Sequence, residues 1–280
     1  MKKLIFFCAV LLCIVGYSQN TVRVYYQLES KPNLLPETPA DIDVYILEIN
    51  TKTNTSKFFN ATYLSLDSIN AKLLEESKIV GGVSVDFSKM KYPKYNIGVV
   101  DDGKQYEIYR IFDGDIYKYP EVKNTQWKIG EETQNIGSYS ARKATAKVNG
   151  RDWEVYFTSD IPLSYGPYIL GQLPGLVLAA HDRTNSYVFK MIGLENNVAD
   201  NDYLPGVFKR AISVTKAKYQ KAFENHKKDP ARKLRQGIIT QPDGDYITLA
   251  NLLSDDYIRR KEAEWIQYYK ENDNDIDKSK

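Results

Sequence analysis

The sequence predicts an α+β, β-rich protein: an antiparallel meander sheet, curled toward a half-barrel, with helices at its C-terminal end. Three observations carry that expectation. Tyrosine is abundant, 22 of 280 residues, and aromatic and β-branched side chains pack well on pleated faces. Short runs of alternating apolar and polar residues recur along the first two thirds of the chain, some joined by Asp-Gly pairs. Helical spacing is confined to one early stretch and to the residues beyond Thr215.

The elements follow in order. Val22, Val24, Tyr26 and Leu28 alternate with Arg23, Tyr25 and Gln27, the pattern of a strand with one buried face. Asp43 to Asn50 reads as a second strand, and the polar turn Thr51 to Thr55 leads into a third, Ser56 to Tyr63. Leu66, Ile69, Leu73 and Leu74 fall at helical spacing, so Ser65 to Ser77 reads as a helix that Gly81-Gly82 breaks. Strands resume from Val83 to Ile129. Within them Tyr95 to Val100 and Tyr106 to Phe112 form a hairpin across Asp101-Asp102-Gly103, with a like turn at Asp113-Gly114-Asp115. Val207 to Val214 reads as a strand. Thr215 caps a helix from Lys216 to Lys228, which Pro230 stops, and Ser254 caps a last helix through Tyr268. Residues 272–280 are polar and read as a flexible tail, with one β-rich domain over 19–271.

At the N-terminus, Met1-Lys2-Lys3 precedes an apolar run from Leu4 to Gly16, the pattern of a signal peptide over residues 1–18. Gly16 and Ser18 supply small residues at −3 and −1 for cleavage after Ser18. The run is shorter than the roughly 20 residues a bilayer span needs, so the mature chain is expected to carry no transmembrane anchor. Both cysteines, Cys8 and Cys13, lie in that run, which leaves the expected mature chain without thiol chemistry or disulfides. Without Lys2 and Lys3 the 38 basic residues become 36, equal to the 36 acidic ones. A neutral protein gives no reason to expect nucleic acid as a partner. The local exception is the basic block of Lys216, Lys218, Lys221, Lys227, Lys228, Arg232, Lys233 and Arg235, opposed in sequence by only Glu224 and Asp229.

Residues 127–194 hold a string of separate motifs: Trp127-Lys128-Ile129, Tyr139 to Ala144, Gly150-Arg151, Tyr156 to Pro162, Gly166-Pro167-Tyr168 and Leu173-Pro174-Gly175-Leu176-Val177-Leu178, then Asp182 and Tyr187. In order and spacing this resembles the GLPGLI family of exported Gram-negative envelope proteins, a family without established activity. The resemblance implies export to the periplasm or outer-membrane periphery, and a partner among envelope or outer-membrane proteins. Gln172 stands where the signature begins with glycine, Val177 replaces its isoleucine, Leu170 stands where phenylalanine is usual, and Ala141 where many members carry cysteine. Physically, Pro174 and Gly175 suit a type II turn, with Leu173 and Leu176 dipping into the core on either side.

Little catalytic chemistry is legible. His181 and His226 are the two histidines, too few for a histidine-based zinc site. No nucleophile elbow, phosphate loop or dinucleotide fingerprint is present. His181 with Asp182 could serve as a base and its orienter; a hairpin-edge residue beside a turn-forming aspartate is the structural alternative. Asp273, Asp275 and Asp277 begin like a calcium loop but lack its sixth-position glycine and twelfth-position glutamate. No metal or cofactor is expected. The sequence therefore points first to an exported binding or accessory protein, and second to an envelope hydrolase acting on peptide or glycan. A carrier of apolar cargo in a half-barrel is the third expectation.

Overall fold

The computed structural model describes residues 20–80, 90–199, 202–240, 246–248 and 253–279. The expected signal peptide, the Gly81-Gly82 break and the start of the strand region after Val83 lie outside the described residues.

Two antiparallel meanders make one mostly antiparallel sheet of twelve strands. The first contains β1 (Thr21–Ser30), β2 (Asp41–Asn50), β3 (Thr55–Asn60), β4 (Ile97–Asp101), β5 (Gln105–Phe112) and β6 (Asp115–Val122). The second contains β7 (Lys128–Ile136), β8 (Tyr139–Val148), β9 (Arg151–Thr158), β10 (Leu176–Asp182) and β11 (Tyr187–Val198). They join where β1 pairs antiparallel with β11. The short β12 (Ile212–Ser213) adds to β6 in parallel, so β12 and β7 are the two edges of a sheet that is not closed. The Asp113-Gly114 and Asn149-Gly150 turns link their strands with positive φ at both positions, 51° and 72°, then 46° and 78°. That is the backbone that a two-residue hairpin requires.

Alternation sets the layers. Tyr45, Leu47 and Phe58 join Ile108, Tyr119, Trp153 and Phe189 in the main core on one face. Ile46, Phe59, Tyr109 and Ile116 point the other way, where α1 (Thr62–Val80) covers them with Tyr63 and Leu66. Phe208 completes that second cluster from a 3₁₀ turn, Gly206–Arg210. The strand expected over Val207 to Val214 is thus limited to Ile212–Ser213. Pro205 opens the turn by accepting from the Phe208 N–H, and Asp67 of α1 accepts from the Gly206 N–H, so the local contacts favour a coil around one aromatic anchor.

On the main-core face, residues 161–176 fold back across the sheet. Tyr168, Leu170, Leu173 and Leu176 are buried there. Trp127 donates its indole N–H to the Gly171 carbonyl at 2.8 Å, and Tyr26 donates to the Val177 carbonyl at 2.6 Å. Many apolar side chains of this face fill the core, and the cavity that remains among the described residues is walled by charged as well as aromatic groups.

The C-terminal region adds α2 (Lys216–Lys228), capped by Thr215, α3 (Arg232–Arg235), the separate hairpin of β13 (Ile238–Thr240) and β14 (Tyr246–Thr248), and α4 (Asp255–Glu271), capped by Ser254. Among the described residues no helix is long and apolar enough to cross a membrane. The segment after α4 departs from the expectation of a flexible tail. Asn274 is buried and Ile276 is fully enclosed, because the segment lies against the main core.

Candidate functional site

Three strands each end an apolar inward-facing row with a charge. Tyr106 and Ile108 precede Arg110 on β5, Leu178 and Ala180 precede Asp182 on β10, and Arg151 precedes Trp153, Val155 and Phe157 on β9. A core-facing ion needs a partner, since burying an isolated charge is costly. Residues 273–279 supply much of the pairing.

Arg110 holds the Asp275 carboxylate with both terminal nitrogens, one at 3.0 Å, and its guanidinium sits 5.9 and 5.8 Å from the rings of Tyr95 and Tyr219. Burial by itself would raise the Asp275 carboxyl; the Arg110 charge and hydrogen bonds outweigh it and hold the group below the usual carboxylate range. Arg151 donates to Asp182 at 2.8 Å, to the Asn274 side chain and, through Nε at 3.0 Å, to the Asp275 carbonyl. Its guanidinium lies 4.7 Å from the ring centre of Tyr187, whose hydroxyl donates to the Asn274 carbonyl. Lys216 of α2 bridges Glu121 and Asp277, the latter at 2.9 Å. Gly150, at φ 78°, admits the backbone of Lys278, and the Lys278 N–H donates to the Asn149 carbonyl at 2.7 Å. A cavity of about 490 Å³ remains beside this segment, walled by Asp41, Lys94, Phe223, Lys227, Tyr268 and Tyr269.

The expected pair His181 and Asp182 is not brought together as base and orienter. Alternation along β10 sends the two side chains to opposite faces. The His181 ring is part-exposed, 3.4 Å from Glu154. Asp182 accepts from the Ser186 and Tyr187 N–H groups, from Thr184 and from Arg151. Burial alone would raise its carboxyl, and these donors hold it below the ordinary range.

The signature residues have structural surroundings. Gly175 donates its N–H to the Leu173 carbonyl at 2.8 Å, a three-residue reversal about Pro174 in place of the expected type II turn. Its φ is 149°, and a Cβ there would stand 2.0 Å from the Thr158 carbonyl oxygen, so contact with the strand end sets this tighter geometry. Leu173 and Leu176 are enclosed as expected. Gly166 lies close under Val177 and the Leu170 carbonyl. The Pro167 carbonyl accepts from the Leu170 N–H.

A second ionisable cluster joins the β5–β6 turn to the helices. Lys233 approaches Asp115 at 2.9 Å and Asp113 at 3.6 Å, while His226 lies 3.6 Å from Asp113 and 2.9 Å from the Tyr269 hydroxyl. Burial lifts the Asp113 carboxyl to about 6 despite the Lys233 charge. Burial, with Lys233 and Arg232 nearby, lowers His226 to about 4. Part of the basic block is neutralised within the fold: Lys216, Lys233 and Arg235 are paired with acids, several distant in sequence. Among the described residues no group of three or more His, Cys, Asp or Glu side chains is placed to hold a metal ion.

Comparison with known proteins gives one family model, "N-glycanase peptide, N-terminal domain" (PNGase F-II), matching residues 75–203. No curated protein matches the chain. Among solved structures it is similar to PNGF-II in a C2 crystal form, at 19% identity and TM-score 0.48 over 74% of this chain and 33% of that one. The P21 form gives 19% and 0.47 over 72% and 32%. An uncharacterized conserved protein from Thermus thermophilus gives 9% and 0.36 over 71% and 91%. The chain thus spans about a third of the length of the PNGF-II structures it matches.

Proposed function

We propose that this chain is an exported envelope protein of the GLPGLI kind and that it works by binding a partner. The observation that carries the reading is the groove at residues 273–279. Two buried arginines face inward, ready to hold a carboxylate and main-chain carbonyls, beside a partly aromatic cavity. The groups that sequence reasoning offered for catalysis are engaged otherwise: Asp182 is tied to Arg151, and His181 rests against Glu154. The basic head and apolar run Leu4 to Gly16 of the N-terminus support export, and the motif string over 127–194 supports the family. Affinity purification of the tagged protein from envelope fractions, with an Arg110→Gln control, tests the reading. A defined outer-membrane partner should be recovered by the wild type and lost with the control; equal recovery by both would remove the groove from the argument.

A second reading is favoured by the family-model match to the N-terminal domain of an N-glycanase over residues 75–203. On this reading the partner is glycosylated, or the protein belongs to glycan-processing machinery. Incubation with an N-glycosylated peptide, followed by mass spectrometry, separates the two outcomes. Intact glycopeptide that co-purifies with the protein supports binding, and released glycan supports hydrolysis.

A further inference from the structure

We propose that the groove holding residues 273–279 is a docking site for an acidic, extended peptide segment of a protein partner, for which the chain's own segment stands in. The inference rests on the binding reading above and names the ligand class of that same groove. The way the segment is held is recognition of an extended chain. Its main-chain carbonyls accept from Arg151 and Tyr187, and its N–H groups donate to the Pro32 carbonyl, the Tyr95 hydroxyl and the Asn149 carbonyl. Side chains supply the specificity: Asp275 takes the Arg110 fork, Asn274 reaches Arg151 and the Lys31 carbonyl, and Ile276 fills an apolar socket. A planar guanidinium gripping both oxygens of a carboxylate discriminates against an amide, which offers one acceptor.

Two further observations make the occupant exchangeable. The segment has no regular secondary structure, and α4, which leads into it, buries none of its own residues. The groove is also larger than its occupant. The cavity of about 490 Å³ continues beside the segment, with Lys31, Lys94 and Lys227 on its wall along with Asp41 and Glu224. A tethered occupant competes at an effective concentration in the millimolar range, so an external segment prevails only with extra contacts or a second tether. The cavity offers room for those contacts.

The test uses the full chain and a fluorescent peptide, Asn-Asp-Asn-Asp-Ile-Asp-Lys-Ser, copied from residues 272–279. Full-length Asp275→Asn, whose own segment has lost its grip on Arg110, should bind the peptide at least tenfold more tightly than the wild type by anisotropy. A peptide with asparagine at the position matching Asp275 should bind at least tenfold more weakly. Equal binding of both peptides, or no binding by a folded Asp275→Asn chain, overturns the proposal. Hydrogen exchange on the unaltered protein decides the matter should that variant not fold. Amides of 274–278 exchanging faster than those of β1 support an exchangeable segment, and exchange only together with β1 overturns it. Capture of glycopeptide without peptide binding would remove this inference and leave the binding reading standing. Peptide binding without an envelope partner would do the reverse.

Discussion

At the scale of single residues, the Leu173–Leu176 reversal and the end of β10 give the sharpest expectations. Gly175→Ala places a Cβ against the Thr158 carbonyl at a φ of 149°. It should lower stability by roughly 1–3 kcal/mol from backbone strain alone. Leu176→Ala, at a fully buried side chain, should cost about 2–5 kcal/mol. Thermal melts of both variants check this, and unchanged melts would mean the turn is not architectural. Gln172 holds a φ of 69° where glycine is unstrained. Gln172→Gly should therefore leave stability unchanged or raise it by about 1 kcal/mol, since relief of left-handed strain exceeds or balances the added freedom of the unfolded chain. Asp182→Asn strips the carboxylate from buried Arg151 and should cost about 3–5 kcal/mol, whereas His181→Ala, at a part-exposed pair, should cost under about 1 kcal/mol. Chemical denaturation distinguishes them; a mild Asp182→Asn would count against the network described above. The sequence did contain a signal for these ions. Arg110, Arg151 and Asp182 each sit in phase with apolar core positions of their strands. Arg110's partner, however, lies 165 residues away, and no local pattern identifies a contact that distant.

At the scale of elements, the docking of α2 and α3 onto the β5–β6 hairpin should respond to acid through two opposed groups. Asp113 is raised to about 6, so its contribution to stability is present in acid and lost as pH rises through 6. His226 is lowered to about 4, so its contribution is present above its ordinary value and lost as pH falls through 4. Burial is the largest cause of both shifts; Lys233 and Arg232 work against the rise at Asp113, and Asp115 and Asp229 work against the fall at His226. Between pH 4 and 6.5 the two effects largely cancel in the intact protein. Asp113→Asn should expose the histidine's slope, losing on the order of 2 kcal/mol more than wild type on acidification across that window. His226→Gln should show the opposite, a relative gain. Melting temperatures measured from pH 4 to 7 check both signs, and parallel curves for the two variants would refute the coupling.

At the scale of the molecule, the first meander, the α1 helix and both capped C-terminal helices were legible because each is written in local alternation, helical spacing or cap residues, whereas β8 and β9 fall where the sequence offered motifs and no expected strand. The union of the meanders was not. Nothing near Thr21–Ser30 announces that its second neighbour is Tyr187–Val198, and nothing in a polar stretch such as 273–279 reveals that inward-facing arginines await it. The central seam has a consequence for biogenesis. β1 is the first described strand to emerge during synthesis, yet it sits in the middle of the sheet, and one of its edges stays bare until residues 187–198 arrive. For that interval the nascent chain displays an unpaired, aromatic-rich strand edge with Val24, Tyr26 and Leu28 on its inner face. Such edges invite pairing with other chains. A fragment ending before Tyr187 should therefore precipitate or form oligomers at micromolar concentration in light scattering, where the full chain stays dispersed. Every copy made passes through that interval, and a holdase covering the first half should suppress the fragment's aggregation in the same light-scattering assay.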